Sequence, residues 1–265
     1  MAFAVAIGAA ALAAAAFTYG FVRLRGRGRC DLAGWDRAAL FALALLLGII
    51  PLSPPVDRAA DELLAGHMFE HVLIADLTPV LLLLAVRGPL LFFLLPPRLL
   101  RALGRLRPLT HVLLHPGMSF AVWAGALAVW HVPALYDRTL ESPALHAVQH
   151  LSFVLGGTLV WTQLLDPARR RALSQRARLG YAFAMFVAGQ ALANTLILTY
   201  WPLYPAYATQ PHGLLGLSPL HDQEAAGLVM MAEQLLTLGT FAAWQLRRWL
   251  RTPFVLEPTR HPFTA

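Results

Sequence analysis

Residues 62–86 read ELLAGHMFEHVLIADLTPVLLLLAV, and this stretch decides the fold class of the chain. Bilayer hydrocarbon is about 30 Å thick and requires roughly 20 mainly apolar residues in a helical span. The stretch has this length, with His67, Glu70 and His71 near its beginning and Asp76 deeper in it. It therefore predicts a transmembrane helix whose first turns carry polar side chains.

The composition of the whole chain also indicates that the protein lies in a lipid bilayer. Its 265 residues are 58% hydrophobic with a mean hydropathy of +0.58, which leaves too little polar surface to coat a soluble domain of this size. We predict an all-α integral membrane protein, a seven-transmembrane helix bundle that forms a single domain over residues 1–252, with a cytoplasmic tail at 253–265. The predicted spans lie near residues 2–22, 36–52, 62–86, 109–131, 144–165, 179–200 and 223–246.

The basic residues predict the orientation of these spans. All 21 are Arg, and only Arg58 and Arg138 lie in the second, fourth and sixth loops. The remaining 19 lie in the first, third and fifth loops and after the last span: Arg23, Arg25, Arg27, Arg29, Arg37, Arg87, Arg98, Arg101, Arg105, Arg107, Arg169, Arg170, Arg171, Arg176, Arg178, Arg247, Arg248, Arg251 and Arg260. The positive-inside rule places those regions in the cytoplasm, so we predict an external N-terminus and a cytoplasmic C-terminus. The net charge of +7 follows from topology, and we expect no nucleic-acid partner.

Two His pairs with the spacing H-x-x-x-H open the third and fifth predicted spans. They are His67 with His71 and His146 with His150. Residues four apart share one face of a helix and lie about 6 Å apart along its axis, so each pair presents two imidazoles in one direction. Because both spans run from outside to inside, we expect the two pairs to lie at the same depth in the outer leaflet.

His131, which ends the fourth span, and Asp222, which begins the seventh, are expected at that depth, and Met230 lies on one stripe of the seventh helix with Asp222. Imidazole is a ligand for copper and zinc, and a thioether favours copper(I). Ionisable groups in hydrocarbon are costly unless they pair, bind an ion or line water. The predicted metal ligands are His67, His71, His131, His146, His150, Asp222 and Met230. The alternative is that these His only form hydrogen bonds with neighbouring carbonyls.

Several kinds of chemistry have no motif in the sequence. It has no Walker motif, no G-x-S-x-G, no H-E-x-x-H and no C-x-x-C, and Cys30 is its single Cys. We therefore expect that the protein is not an enzyme, and a copper carrier that uses thiolates is excluded.

A series of motifs between about residues 55 and 250 resembles the CtaG family of membrane proteins required for cytochrome c oxidase assembly. The series begins with His67-Met68-x-x-His71 and the Leu-rich helix that contains Pro79. It continues with Trp130-His131-x-Pro133-x-x-Tyr136-Asp137, Leu145-His146-x-x-x-His150-Leu151-Ser152-Phe153, Pro205-x-Tyr207 and Asp222-Gln223-x-x-x-Gly227-x-x-Met230.

The resemblance implies an assembly factor that supplies or positions copper for the oxidase. Its expected partners are cytochrome c oxidase subunits, a copper donor protein and membrane lipid, and its expected location is the bacterial cytoplasmic (inner) membrane. Two other functions remain open from the residues alone. One is an electron carrier that binds haem b through two His, and the other is a metal-ion or proton transporter that uses Glu70, Asp76 and Glu233.

Overall fold

The computed structural model describes residues 2–209 and 215–251, so the predicted tail at 253–265 lies outside the described residues. Within those ranges the chain has fourteen α-helices and no β-strand, which confirms the predicted all-α class. The helices are α1 (Ala2–Arg25), α2 (Trp35–Ile49), α3 (Pro54–Glu62), α4 (Leu64–Val72), α5 (Thr78–Val86), α6 (Pro89–Phe93), α7 (Pro97–Leu103), α8 (Arg107–Leu113), α9 (Pro116–Trp130), α10 (Pro133–Glu141), α11 (Pro143–Leu165), α12 (Gln175–Leu198), α13 (Pro205–Ala208) and α14 (Pro219–Arg251).

Several helices are long and apolar enough to cross a membrane. In the described part of the chain these are four: α1, the α4–α5 unit Leu64–Val86, α12 and α14. Two bent pairs, α2 with α3 at 54° and the 97–113 segment with α9 at 78°, raise the number to six. Helix α11 has 23 residues, but His146, Gln149 and His150 lower its hydropathy. The count of seven spans and the orientation remain predictions.

The fourth predicted span, 109–131, differs from a single straight helix. Helix α8 ends at Leu113, and α9 begins at Pro116 after a sharp bend. His115 has φ −69° and ψ 131°, the extended conformation that a following proline favours. Pro116 also lacks the N–H that a continuous helix would need at that position. The break therefore follows from the sequence Leu114-His115-Pro116.

The α4–α5 unit is continuous through a π-helical turn, Leu73–Leu77. Pro79 has no N–H, so the Ala75 carbonyl four residues earlier loses its helical hydrogen bond. The Thr78 N–H instead bonds the Leu73 carbonyl five residues back, which widens the turn. The Ala75 carbonyl oxygen lies against Gly157 of α11, where a Cβ atom would overlap it. Pro79 and Gly157 together allow a widened turn to pack closely against a neighbouring helix.

The α4–α5 unit is the centre of the bundle. It packs against α2, α11 and α14, while α9 packs on α11 and α12 packs on α14. Asp222, near the start of α14, accepts hydrogen bonds from the backbone N–H groups of Leu64 (2.7 Å) and Ala65 (3.0 Å) at the start of α4. These N–H groups have no partner within their own helix, so the carboxylate satisfies them and complements the positive end of the helix dipole. The starts of α4 and α14 are thereby held together.

Candidate metal centre

Four His rings converge where the beginnings of α4 and α11 meet. We call His67, His71, His146 and His150 the tetrad. The ring centroids of His67 and His146 are 5.1 Å apart, and those of His71 and His150 are also 5.1 Å apart. Within each helix the separations are 4.4 Å for His67 and His71 and 4.2 Å for His146 and His150. The two pairs therefore face each other, and neither points away into lipid.

The ligand atoms of the tetrad are close enough to surround an ion. One nitrogen each from His67, His71 and His146 lie within 4.8 Å of one another. A second group, formed by Glu70, His146 and His150, meets the same limit and shares His146 with the first. Among the described residues, these two groups of three side chains meet the limit. A metal with bonds of about 2 Å would require only a small contraction of either group.

Polar atoms of the tetrad are buried without hydrogen-bond partners among the described residues. These include Nε2 of His67, His146 and His150 and both ring nitrogens of His71. Burying a polar group without a partner costs about 1–3 kcal/mol, so the great majority of buried groups in native proteins are paired. Several unpaired nitrogens directed at one point are the chemistry of a ligand set.

Glu70 supplies a carboxylate at the same point. Its side chain is buried, and neither oxygen accepts a hydrogen bond from any described residue. Oε1 lies 3.4 Å from His150 Nε2. A buried carboxyl group without donors is more costly than an unpaired imidazole unless a cation lies next to it. Glu70 is therefore suited to bind a metal directly or to compensate its charge.

Tyr207 determines which nitrogen of His67 is free. The Tyr207 hydroxyl donates to the Ala60 carbonyl (2.9 Å) and also lies 3.3 Å from His67 Nδ1. Because the hydroxyl has one proton, and Ala60 takes it, His67 Nδ1 is the donor to the Tyr207 oxygen. The lone pair of His67 is then on Nε2, the atom that faces the tetrad. Partners of this kind orient metal-binding His in many proteins.

The other three predicted ligands lie outside the tetrad. Both Asp222 oxygens accept backbone hydrogen bonds from α4, so in this structure Asp222 positions the helix that carries His67 and His71. His131 and Met230 line a separate cavity beside the tetrad. Phe153 also lines that cavity, with its ring centroid 4.9 Å from that of His71 and 6.3 Å from that of His131. A ligand role for these three stays a prediction.

Sequence reasoning assigned no role to two buried polar side chains beside the tetrad. Tyr136 is fully buried, with its ring centroid 5.2 Å from that of His67 and 6.2 Å from that of Tyr207. Gln149 is also fully buried, and both of its amide atoms lack a partner there. The pattern H-x-x-[E/Q]-H could have indicated Gln149, because Glu70 holds the equivalent position in the other pair.

The fold and this group of side chains define a class: an all-helical membrane protein with a buried His and carboxylate cluster at one end of its bundle. The chain belongs to the cytochrome c oxidase caa3 assembly factor family (Caa3_CtaG), whose family model matches residues 15–252. The resemblance drawn from the sequence motifs is thus confirmed. No curated protein and no solved structure matches the chain significantly.

Proposed function

We propose that this protein binds copper at the tetrad and supplies it to cytochrome c oxidase during assembly of that enzyme. The observation that carries the proposal is the convergence of four imidazoles, each with a buried nitrogen that has no partner among the described residues, and the Glu70 carboxyl group in a member of an oxidase assembly family. A ligand set of imidazoles and a carboxylate suits copper and other late divalent metals. We choose copper among them because cytochrome c oxidase, the enzyme that this family assembles, requires copper.

The residues of the chain have distinct parts in this proposal. The tetrad holds the ion, and Glu70 compensates its positive charge in an environment of low dielectric constant. Tyr207 directs His67 Nε2 toward the ion, and Asp222 holds the beginning of α4 in place. The bound copper is the ion to be delivered, and the protein holds it in position. We propose no catalytic step, in keeping with an assembly factor rather than an enzyme.

The tetrad geometry favours a metal ion over haem b. The rings of His67 and His146 are stacked, with an interplanar angle of 21°. The rings of His71 and His150 meet edge to face, with an interplanar angle of 88°. Axial ligation of haem requires two His on opposite sides of a porphyrin, which would have to separate these rings. The cavity lined by His71 has a volume of about 40 Å³, too small for a porphyrin, and a larger one of about 320 Å³ is lined by a single His, His150. The transporter alternative remains a prediction, with Asp76 and Glu233 as its candidate residues.

The proposal also includes a location and partners. Several apolar helices and the family both fit a bacterial membrane protein. We propose the cytoplasmic membrane, with the tetrad near its outer face, where the Arg distribution orients the beginnings of α4 and α11. The proposed partners are oxidase subunits, which accept the copper, and a copper donor protein.

The test is to measure copper both in this protein and in the oxidase. Replacing His71 and His150 by Ala removes one imidazole from each pair and should abolish metal binding by the purified protein. The oxidase polypeptides of such a strain should still be made, but the enzyme should lose activity and contain less copper. His115→Ala is the matched control, because His115 is exposed and lies at the opposite end of α9 from His131. A normal copper content in the oxidase of the double variant would refute copper delivery and leave a scaffold role.

A further inference from the structure

A second group of metal-binding side chains lies beside the tetrad, around the cavity of about 40 Å³. The cavity is enclosed by α4, the π-helical turn, α9, α11 and α14. Its polar and sulfur-containing lining residues are Met68, His71, Asp76, His131, Met230, Glu233 and Gln234. His71 belongs to both the tetrad and this cavity, whereas His67, His146 and His150 do not line it. The cavity therefore adjoins the tetrad through one shared imidazole.

Two imidazoles with unpaired nitrogens line this cavity. His71 is 6% exposed and His131 is 9% exposed. His131 Nδ1 lies 2.8 Å from the Leu127 carbonyl oxygen, which can only accept, so Nδ1 is the protonated nitrogen. Its lone pair is then on Nε2, and that atom has no partner in the described part of the chain. The cavity thus has one imidazole nitrogen available to bind a metal from α4 and another from the end of α9.

Two thioethers face the same cavity. Met68 is 1% exposed and precedes His71 by three residues, so both lie on one face of α4. Met230 is 7% exposed and precedes Glu233 by three residues on α14. Thioether sulfur is a soft ligand that selects copper(I), whereas the tetrad and Glu70 offer only nitrogen and oxygen. The two adjoining positions therefore differ in the ligand chemistry that they offer.

Carboxyl groups at the inner side of the cavity match a positive charge. Asp76 accepts a hydrogen bond from Trp161 Nε1 (2.9 Å), and Glu233 accepts one from the Thr237 hydroxyl (2.8 Å). Each carboxyl group keeps further acceptor capacity, and both line the cavity. Carboxyl groups at membrane depth are costly unless they pair, bind an ion or line water. A monovalent cation held by the two thioethers and two imidazoles would lie beside these carboxyl groups and offset the cost of burying them.

We propose that this cavity is a second metal site, specific for copper(I), with Met68, Met230, His131 and His71 as its ligands and Asp76 and Glu233 as charge compensation. The proposal rests on the proposed function for the choice of copper, and its residues are separate from the tetrad apart from His71. Copper held here is bound by sulfur, and copper held at the tetrad is not.

The test uses the purified full-length protein loaded anaerobically with copper(I) alone. X-ray absorption of the wild-type protein should show sulfur neighbours around copper. In the variant Met68→Leu, Met230→Leu, which conserves side-chain volume, the sulfur signal should vanish and about one equivalent of copper(I) per chain should be lost. Met185→Leu is the matched control, since Met185 is 1% exposed and packs in a hydrophobic cluster with Val160 and Phe241 but does not line the cavity.

The outcomes separate this site from the tetrad. His146→Ala removes a tetrad ligand that does not line the cavity, so it should leave sulfur-bound copper(I) in place even if oxidase maturation fails. Absence of sulfur neighbours in the wild-type spectrum would overturn the proposal and indicate a cavity that holds water, for which its volume suffices. Persistence of the sulfur signal in the double Met variant would also overturn it. Retained far-ultraviolet circular dichroism identifies variants that are folded, and the two single Met variants replace the double variant if it is not.

Discussion

At the scale of single residues, the site depends on where each lone pair and each proton lies. Each His of the tetrad has a buried nitrogen without a hydrogen-bond partner among the described residues, while the residues around the tetrad are hydrogen-bonded to fixed backbone groups. Tyr207 is bonded to Ala60, His131 to Leu127 and Asp222 to the start of α4. Each of these bonds fixes an orientation before any ligand arrives. Such preorganisation reduces the entropy that binding would otherwise cost.

The prediction at this scale concerns Tyr207→Phe. The variant keeps the ring that packs beside Tyr136 but removes the hydroxyl that accepts from His67 Nδ1. We expect metal affinity to fall about 10-fold, the lower end of the range for partners of metal-binding His, with a stability loss of about 1 kcal/mol. Competition against a chelator of known affinity measures the first, and thermal unfolding measures the second.

The control for that prediction is Tyr181→Phe. Tyr181 also donates its hydroxyl proton to a backbone carbonyl, that of Pro116, but it packs beside Phe120, away from the tetrad. Its loss should change stability by a similar amount and leave metal affinity unchanged. Equal affinity losses in both variants would show that Tyr207 acts only through general stability.

At the scale of helices, the decisive feature is the widened turn in the α4–α5 unit. The π-helical turn follows the tetrad residues of α4 and contains Asp76, which lines the adjoining cavity. Turns of this type occur frequently at functional sites. Here the turn also brings the Ala75 carbonyl against Gly157, so the packing of α4–α5 on α11 depends on the absence of a side chain there.

We therefore predict that Gly157→Ala destabilises the protein. The added Cβ atom would overlap the Ala75 oxygen, and overpacking of this kind costs about 1–3 kcal/mol. The helices that carry the two halves of the tetrad would move apart, so metal affinity should also fall. Gly125→Ala is the control, because nothing lies within 4 Å of a Cβ atom there. Ala has the higher helix propensity, so that variant should be stabilised by about 0.5–1 kcal/mol. Thermal unfolding in one detergent compares them, and an unchanged midpoint for Gly157→Ala would contradict the packing argument.

At the scale of the whole molecule, the orientation of the bundle determines which compartment can exchange metal with the site. Helices α4 and α11 carry His residues near their beginnings, whereas Arg residues lie in the last turns of α1 and α14 and follow α5 and α11. The positive-inside rule then places the tetrad on the side opposite the Arg-rich loops.

Reporter fusions test this orientation directly. Fusions after Pro55 and Leu140 should report an external location, and fusions after Cys30 and Ala172 should report a cytoplasmic one. An active alkaline phosphatase marks the first pair and a fluorescent protein marks the second. The Leu140 and Ala172 fusions flank α11, so a shared location for the two would show that α11, the fifth predicted span, does not cross the membrane.

The sequence by itself determined the solvent of this protein, its helical class, its family and the two His pairs. These follow from composition and from periodicity within one helix, because residues four apart share a face whatever surrounds them. The sequence did not determine that Asp222 would cap α4 or that Tyr207 would reach His67, which are pairs 158 and 140 positions apart. It also did not separate His131 and Met230 from the tetrad. Those arrangements depend on how α4, α9, α11 and α14 rotate and pack against one another, and the packing is decided by contacts such as that between Gly157 and Ala75.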